Sequence, residues 1–139
     1  MPTIVYRDVK KAAAWLGEAF GFTETLRWAS AKQPTIELAL GDGAVFVQAP
    51  RTGHGSAGDL SLQPPAPAAL NITLMVRVDD VDGHRERSGR AGAEILLDVQ
   101  TYAFGERQYS ARDLEGYVWT FTQSVDDVAP ADWGAIVAE

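Results

Sequence analysis

The sequence predicts an α+β fold: two tandem βαβββ modules, each a small sheet with one helix against one face. Three observations predict it. Asp8, in Val5-Tyr6-Arg7-Asp8-Val9, recurs as Asp80 in Arg77-Val78-Asp79-Asp80-Val81, 72 positions on. Gly43-Ala44-Val45-Phe46-Val47 recurs as Gly116-Tyr117-Val118-Trp119-Thr120 at an offset of 73. Each aspartate follows an apolar run and precedes a segment of helical periodicity, and each glycine opens the second strand of a hairpin.

The first module covers about residues 1–50. Thr3 to Tyr6 reads as a strand. Asp8 suits an N-cap, because its carboxylate can accept from the unbonded N–H groups of a helix start. Val9, Ala12, Ala13, Leu16 and Phe20 then form one apolar stripe, with Lys10, Lys11 and Glu18 off it. Gly21 suits the left-handed residue that ends a helix. Strands follow over Phe22 to Trp28, Thr35 to Leu40 and Ala44 to Gln48, the last two joined by Gly41-Asp42-Gly43.

The second module, about 70–124, repeats the plan. Ile72 to Val78 is a strand, and Asp80 or Asp79 caps a helix running to about Ala91. Val81, His84, Ser88 and Ala91 mark its inner face. Strands are expected near Glu94 to Asp98, Gln108 to Arg112 and Tyr117 to Gln123, with Asp113-Leu114-Glu115-Gly116 as the second hairpin turn. Between the modules, about 51–69, lie Gly53, Gly55, Gly58, Pro64, Pro65 and Pro67. This stretch has too few packing residues to build structure of its own, and is either a linker or a flap over a site. The tail, 125–139, is expected to form one short helix around Asp132 to Val137, with Trp133 as its docking residue.

Composition bounds the function. The 139 residues suit a single domain, 46% hydrophobic and 22% charged, as in ordinary globular proteins. No apolar run reaches membrane-spanning length, and Met-Pro-Thr-Ile-Val-Tyr is no signal peptide, so a cytoplasmic protein without membrane contact is expected. The absence of cysteine excludes disulfides, thiolate nucleophiles and thiolate zinc sites. A formal charge of −7 repels nucleic acid; it serves solubility, or a preference for cationic ligands.

Several segments together resemble the vicinal oxygen chelate superfamily of glyoxalases, bleomycin resistance proteins and extradiol dioxygenases. They are Tyr6-Arg7-Asp8-Val9 with Trp15-Leu16 and Phe20-Gly21-Phe22; Val78-Asp79-Asp80-Val81-Asp82; and Gly105-Glu106-Arg107, Tyr109 and Arg112-Asp113-Leu114-Glu115-Gly116-Tyr117 with Trp119-Thr120-Phe121. The resemblance implies curled sheets around a cup, helices on the outer face, and commonly a homodimer. In the catalytic members it also implies a divalent metal held by His, Glu or Gln on the first and last strands of both modules.

Carried onto this chain, those four positions are Met1, Val47, Thr73 and Thr120, and none is a good metal donor. A one-residue slip would bring in Gln48, which alone holds no metal. The two histidines, His54 and His84, lie at no motif spacing. The expectation is therefore no metal and no cofactor, and glyoxalase or dioxygenase chemistry, which the resemblance ties to a metal, is not expected.

No other catalytic constellation emerges. Ser56 and Ser61 lack a nucleophile-elbow spacing. The Asp79, Asp80, Asp82 cluster reads as capping and solvation. His84 reads as a packed, hydrogen-bonded histidine or a proton shuttle. Arg107 is either a clamp for a ligand's carbonyl or anionic group, or an ion-pair partner of Glu106 or Asp113. Strand alternation assigns Val45, Val47, Thr73, Met75, Val118 and Thr120 to the cup floor, with Trp119 and Phe121 under the helix. Trp28, Tyr102 and Phe104 are candidates for an aromatic rim, and Arg107 completes the expected ligand-binding set. The expected ligand is a small molecule, aromatic or cationic, such as an antibiotic sequestered by the metal-free relatives that the chain resembles. The alternative is a lyase, isomerase or dioxygenase-type enzyme with atypical metal ligands or metal-free chemistry. A third reading makes the cup vestigial in a regulatory or protein-binding module.

Overall fold

A computed structural model describes residues 1–29, 32–52, 61–66 and 69–139. Module one contains β1 (Thr3–Val5), α1 (Val9–Phe20), β2 (Thr23–Trp28), β3 (Thr35–Leu40) and β4 (Gly43–Gln48). Two short strands follow, β5 (Arg51–Thr52) and β6 (Ser61–Leu62). Module two contains β7 (Leu74–Arg77), α2 (Val81–Arg90), β8 (Glu94–Thr101), β9 (Glu106–Arg112) and β10 (Val118–Ser124). A 3-10 turn, Pro130–Trp133, lies in the tail.

The two modules have the same topology. One four-stranded sheet has the order β1-β4-β3-β2 and the other β7-β10-β9-β8. Each first strand runs parallel to its module's last strand, and the remaining neighbours are antiparallel. The two sheets do not close on one another.

Local chemistry explains the helix boundaries. The Asp8 carboxylate accepts from the Lys11 N–H at 3.1 Å, and Asp80 accepts from Gly83 N–H at 3.1 Å. Gly21 ends α1 at φ 83°, where a side chain would be strained. The two helices then complete each other's ends. Trp15 Nε1 of α1 donates to the Ala91 carbonyl beyond α2, at 2.8 Å. Arg87 of α2 donates to the Gly17 and Glu18 carbonyls of α1, each at 2.8 Å. The Gly17 carbonyl also accepts from the capping Gly21 N–H at 3.1 Å, and α1 has no basic residue of its own in its last turn, so Arg87 supplies the positive charge there.

Packing joins the modules. The helix-facing residues of both sheets, with Val9, Leu16, Phe20 and Val81, form one buried cluster. Phe20 touches Trp119 and Phe121 of the other module, with ring centroids 5.7 and 4.7 Å apart. No helix among the described residues is long and apolar enough to cross a membrane.

Two expectations change, and one falls outside the described residues. The β5–β6 pair gives the link a two-residue ladder, Arg51 with Leu62 and Thr52 with Ser61, although composition suggested none. Residues 53–60, 67 and 68, including His54 and Ser56, lie outside the described residues, and the flap reading with them. The tail's helical turn comes earlier than expected, beginning at Pro130, whose fixed φ suits a helix start, and ending at Gly134, φ 88°.

Candidate ligand-binding site

Each sheet has one face under its helix and one open face. On sheet two the assignment follows the expected alternation. Trp119 and Phe121 are buried on the helix side, Phe121 against His84 of α2 and Trp119 against Phe20 and Phe22, while Val118 and Thr120 face the open side. Met75 pairs with Thr120 in the ladder and is 65% exposed. Thr73, just before β7, is also exposed. Ser110 and Thr120 share a hydrogen bond of 2.8 Å on this face, and Leu97, opposite Ser110, is 60% exposed.

On sheet one the assignment is corrected. Val45 and Val47 are buried in the cluster with α1, not on the open face. The reason is hairpin length. Leu40 pairs with Gly43, so the first hairpin has a two-residue loop; Arg112 pairs with Val118, so the second has five. Gly116 therefore lies inside its turn, whereas Gly43 begins a strand, and matching the two glycines shifts the repeat by one residue. Ladder register identifies the true counterpart: Thr3 pairs with Phe46 as Met75 pairs with Thr120. A one-residue shift sends every side chain to the other face. Phe46 thus occupies the open position, and Trp28 packs on it with centroids 5.8 Å apart. Leu26 and Trp28, 44% and 50% exposed, share this face with Glu37 and Thr35, their ladder partners. The Glu37 carboxylate accepts from Thr25 Oγ1 at 2.6 Å.

The sequence reading missed Phe46, Leu26 and Glu37. A signal existed in the hairpin itself. A two-residue loop sets Leu38 opposite Val45 and Ile36 opposite Val47, and Ile36 and Leu38 are the apolar half of Thr35-Ile36-Glu37-Leu38.

Arg107 is also corrected. It lies on the helix side of β9 and grips Asp82 in α2, with Nε and Nη2 at 2.9 and 2.8 Å from the two carboxylate oxygens. Its Nη1 donates to Thr101 at 2.9 Å. Alternation explains the placement, because Arg107 is in phase with Tyr109, whose ring packs beneath α2. The expected partners Glu106 and Asp113 are engaged elsewhere. Glu106 accepts from Arg77 at 3.1 Å on the open side.

The expected aromatic rim divides into two groups. Trp28 belongs with Phe46. Tyr102 and Phe104 stack at the β8–β9 turn, centroids 5.3 Å apart and planes 11° apart, and Trp133 of the tail packs on Phe104 at 5.7 Å. Gly105 holds that turn at φ 85°. A Cβ there would collide with the Asp126 carbonyl oxygen, so glycine lets the tail cross the turn.

His84 is tied on both ring nitrogens. Nδ1 lies 2.6 Å from Tyr109 Oη, and Nε2 lies 2.7 Å from the Phe20 carbonyl. A carbonyl only accepts, so Nε2 carries the proton and Nδ1 accepts from Tyr109. Burial holds the imidazole pKa below its ordinary value and pushes the Tyr109 phenol up to about 12. Both act here as neutral packing groups joining α2 to α1.

The residues at the catalytic members' metal positions do not fit a metal. They are Met1, Thr73 and Thr120, with Val47 turned into the core and Phe46 on the open face in its place. Among the described residues no three His, Asp or Glu side chains converge.

Comparison with known proteins places these features in context. Residues 2–121 match the family described as the Glyoxalase/Bleomycin resistance protein/Dioxygenase superfamily. TioX from Micromonospora sp. ML1 is similar in structure with a TM-score of 0.69 and 36% identity, covering 89% of this chain and 97% of that one. TnmS3, an antibiotic binding protein from Streptomyces sp. CB03234, shares the fold at a TM-score of 0.65 and 20% identity, covering 88% of this chain and 91% of that one. An uncharacterised Mycobacterium bovis protein, Mb0911c, is 25% identical over 127 residues, 91% of this chain and 84% of its own length.

Proposed function

The chain belongs to the glyoxalase/bleomycin resistance protein/dioxygenase superfamily, and we propose that it is a metal-free cytoplasmic protein that binds and sequesters a small aromatic or cationic molecule, such as an antibiotic. One observation carries this reading. The open sheet faces present Trp28, Phe46, Leu26, Met75 and Leu97 with hydroxyl groups, the Glu37 carboxylate and the Arg77–Glu106 ion pair, where a metallo-enzyme would present metal donors. Aromatic and aliphatic surface with a few polar groups holds flat organic molecules by stacking and desolvation. Glu37 adds a site for a cationic substituent. TnmS3, which has this fold, is an antibiotic-binding protein, and that supports the reading by analogy.

In this reading the groove is completed by a second copy. Among the described residues neither open face is covered, and Met75 and Leu97, at 65% and 60% exposure, are costly to leave in water. A two-fold arrangement sets sheet one of each copy against sheet two of the other, and so makes two equal grooves.

The test is a thermal-shift screen of chelator-treated protein against divalent metals and against aromatic and cationic natural products, including bleomycin-type glycopeptides. A ligand at a hundred times its dissociation constant adds about 2.7 kcal/mol, a readable shift. The expected hit is an organic compound whose effect is lost in Trp28→Ala. Stabilisation by a stoichiometric metal, or turnover of a compound that binds, would replace this reading with an enzyme of the same fold.

A further inference from the structure

A cleft of about 480 Å³ opens at the seam between the modules, and Met75 and Arg77 at the edge of sheet two's open face reach its margin. Its walls are Phe22, Leu40 and Val45 from module one and Leu74 and Val76 from module two, with Trp119 at the floor. These residues belong to the helix-facing layer. Leu40, Leu74 and Val76 are only partly buried, so the shared core stops short of filling the seam. A cavity of this size and lining suits a small organic molecule.

Charge at the seam selects the sign of that molecule. Asp42, in the β3–β4 turn, and Asp79, just after β7, both line the cleft. Among the described residues neither has an ion-pair partner, and no described side chain donates to either. The nearby cations are committed. Arg77 donates to Ser124 Oγ at 2.5 Å and to Glu106 at 3.1 Å, and Arg87 is held by the α1 carbonyls. A second hollow, sharing Leu40, Gly41, Arg77 and Asp79 with the first, continues the groove past Asp80. An apolar slot with two unengaged carboxylates at its lip, in a chain of net charge −7, favours a cation with a hydrophobic body.

We propose that this seam is a second ligand site, distinct from the Trp28–Phe46 face, which takes a small aromatic or aliphatic ammonium. The apolar body lies between Leu40 and Val76, and the ammonium lies between Asp42 and Asp79. Because the walls come from both modules, occupancy also ties one module to the other.

Amide NMR titration tests the proposal with three probes of one shape: 4-phenylbutylamine, 4-phenylbutanol and 4-phenylbutyrate. The amine is expected to shift the Leu40 to Val45 and Leu74 to Asp79 amides, and the butyrate to have little effect. The alcohol, and the amine on an Asp42→Asn/Asp79→Asn variant, are expected to bind at least about fivefold more weakly than the amine on the parent chain. Both substitutions lie at the surface, so the variant's spectrum reports directly that the fold is kept. Val76→Trp, which fills the slot, is expected to abolish the amine's shifts while leaving those of a ligand on the Trp28–Phe46 face. Equal binding of the three probes, shifts confined to Leu26, Trp28, Phe46 and Thr120, or no binding by the amine at millimolar concentration would each overturn it.

Discussion

Asp113 is buried and accepts four hydrogen bonds: from Tyr6 Oη at 2.6 Å, from Trp119 Nε1 at 2.9 Å, and from the Glu115 and Tyr117 amides at 3.0 Å each. Burial pulls its pKa above the usual carboxylate range, against four donors that favour the charged form. Burial and the same carboxylate push the Tyr6 phenol well up, which keeps it a donor. This one side chain joins Tyr6, just after β1, to the second hairpin turn and β10. Tyr6→Phe removes a donor and leaves the carboxylate short of a partner. The expected cost is about 1–3 kcal/mol, read from the urea midpoint. His84 gives the residue-scale pH dependence. Its folded pKa lies below the ordinary imidazole value, so the unfolded chain binds the extra proton first as acid is added. Its contribution is full above the ordinary imidazole value and is lost as pH falls through that value towards the lower folded one. Urea midpoints are expected to fall from pH 7.5 to 5.5, and the slope to flatten in His84→Gln; an unchanged slope would assign the effect elsewhere.

Among the elements, the helix starts are the most local features and the hairpins the least. Asp8 and Asp80 each cap a helix with one hydrogen bond to the third residue onward. Asp8→Ala and Asp80→Ala are each expected to cost about 1 kcal/mol in chemical denaturation, nearly additively, because the caps share no partner. Arg107 works at the same scale, fastening β9 to α2 through Asp82. The pair is exposed, so Arg107→Ala is expected to change stability by less than about 1 kcal/mol and to leave ligand binding on the sheet faces unchanged. Loss of binding in that variant would restore Arg107 to the site. The tail is a third element: Gly105→Ala sets a methyl group against the Asp126 carbonyl, and should detach the tail and expose Phe104. Trp133 fluorescence would shift to the red.

At the scale of the molecule, the helices and the inner sheet faces share one core, which leaves the outer faces without a partner among the described residues. If a second copy covers them, Leu97→Glu should halve the sedimenting mass, because a carboxylate would be trapped in an apolar interface, while the monomer's spectrum stays folded. A parent chain that sediments as a monomer at tens of micromolar would count against the shared groove.

The sequence by itself determined what depends on neighbours along the chain. Asp8 and Asp80 mark helix starts because capping acts over three residues, and the stripe from Val9 to Phe20 names a buried face because helical period is local. The poor metal donors at Thr73 and Thr120 were equally legible, since residue identity needs no geometry. The facing of β4 was also recoverable locally, from the two-residue loop and the Thr35-Ile36-Glu37-Leu38 alternation, although the glycine repeat pointed one residue away. Tertiary structure alone decided the partner of Arg107, the joining of Tyr102 and Phe104 to Trp133, and the seam with Asp42 and Asp79 at its lip. Each of these depends on register or on contacts between segments far apart in sequence. Such contacts are set by how whole faces pack, and local periodicity carries no record of them.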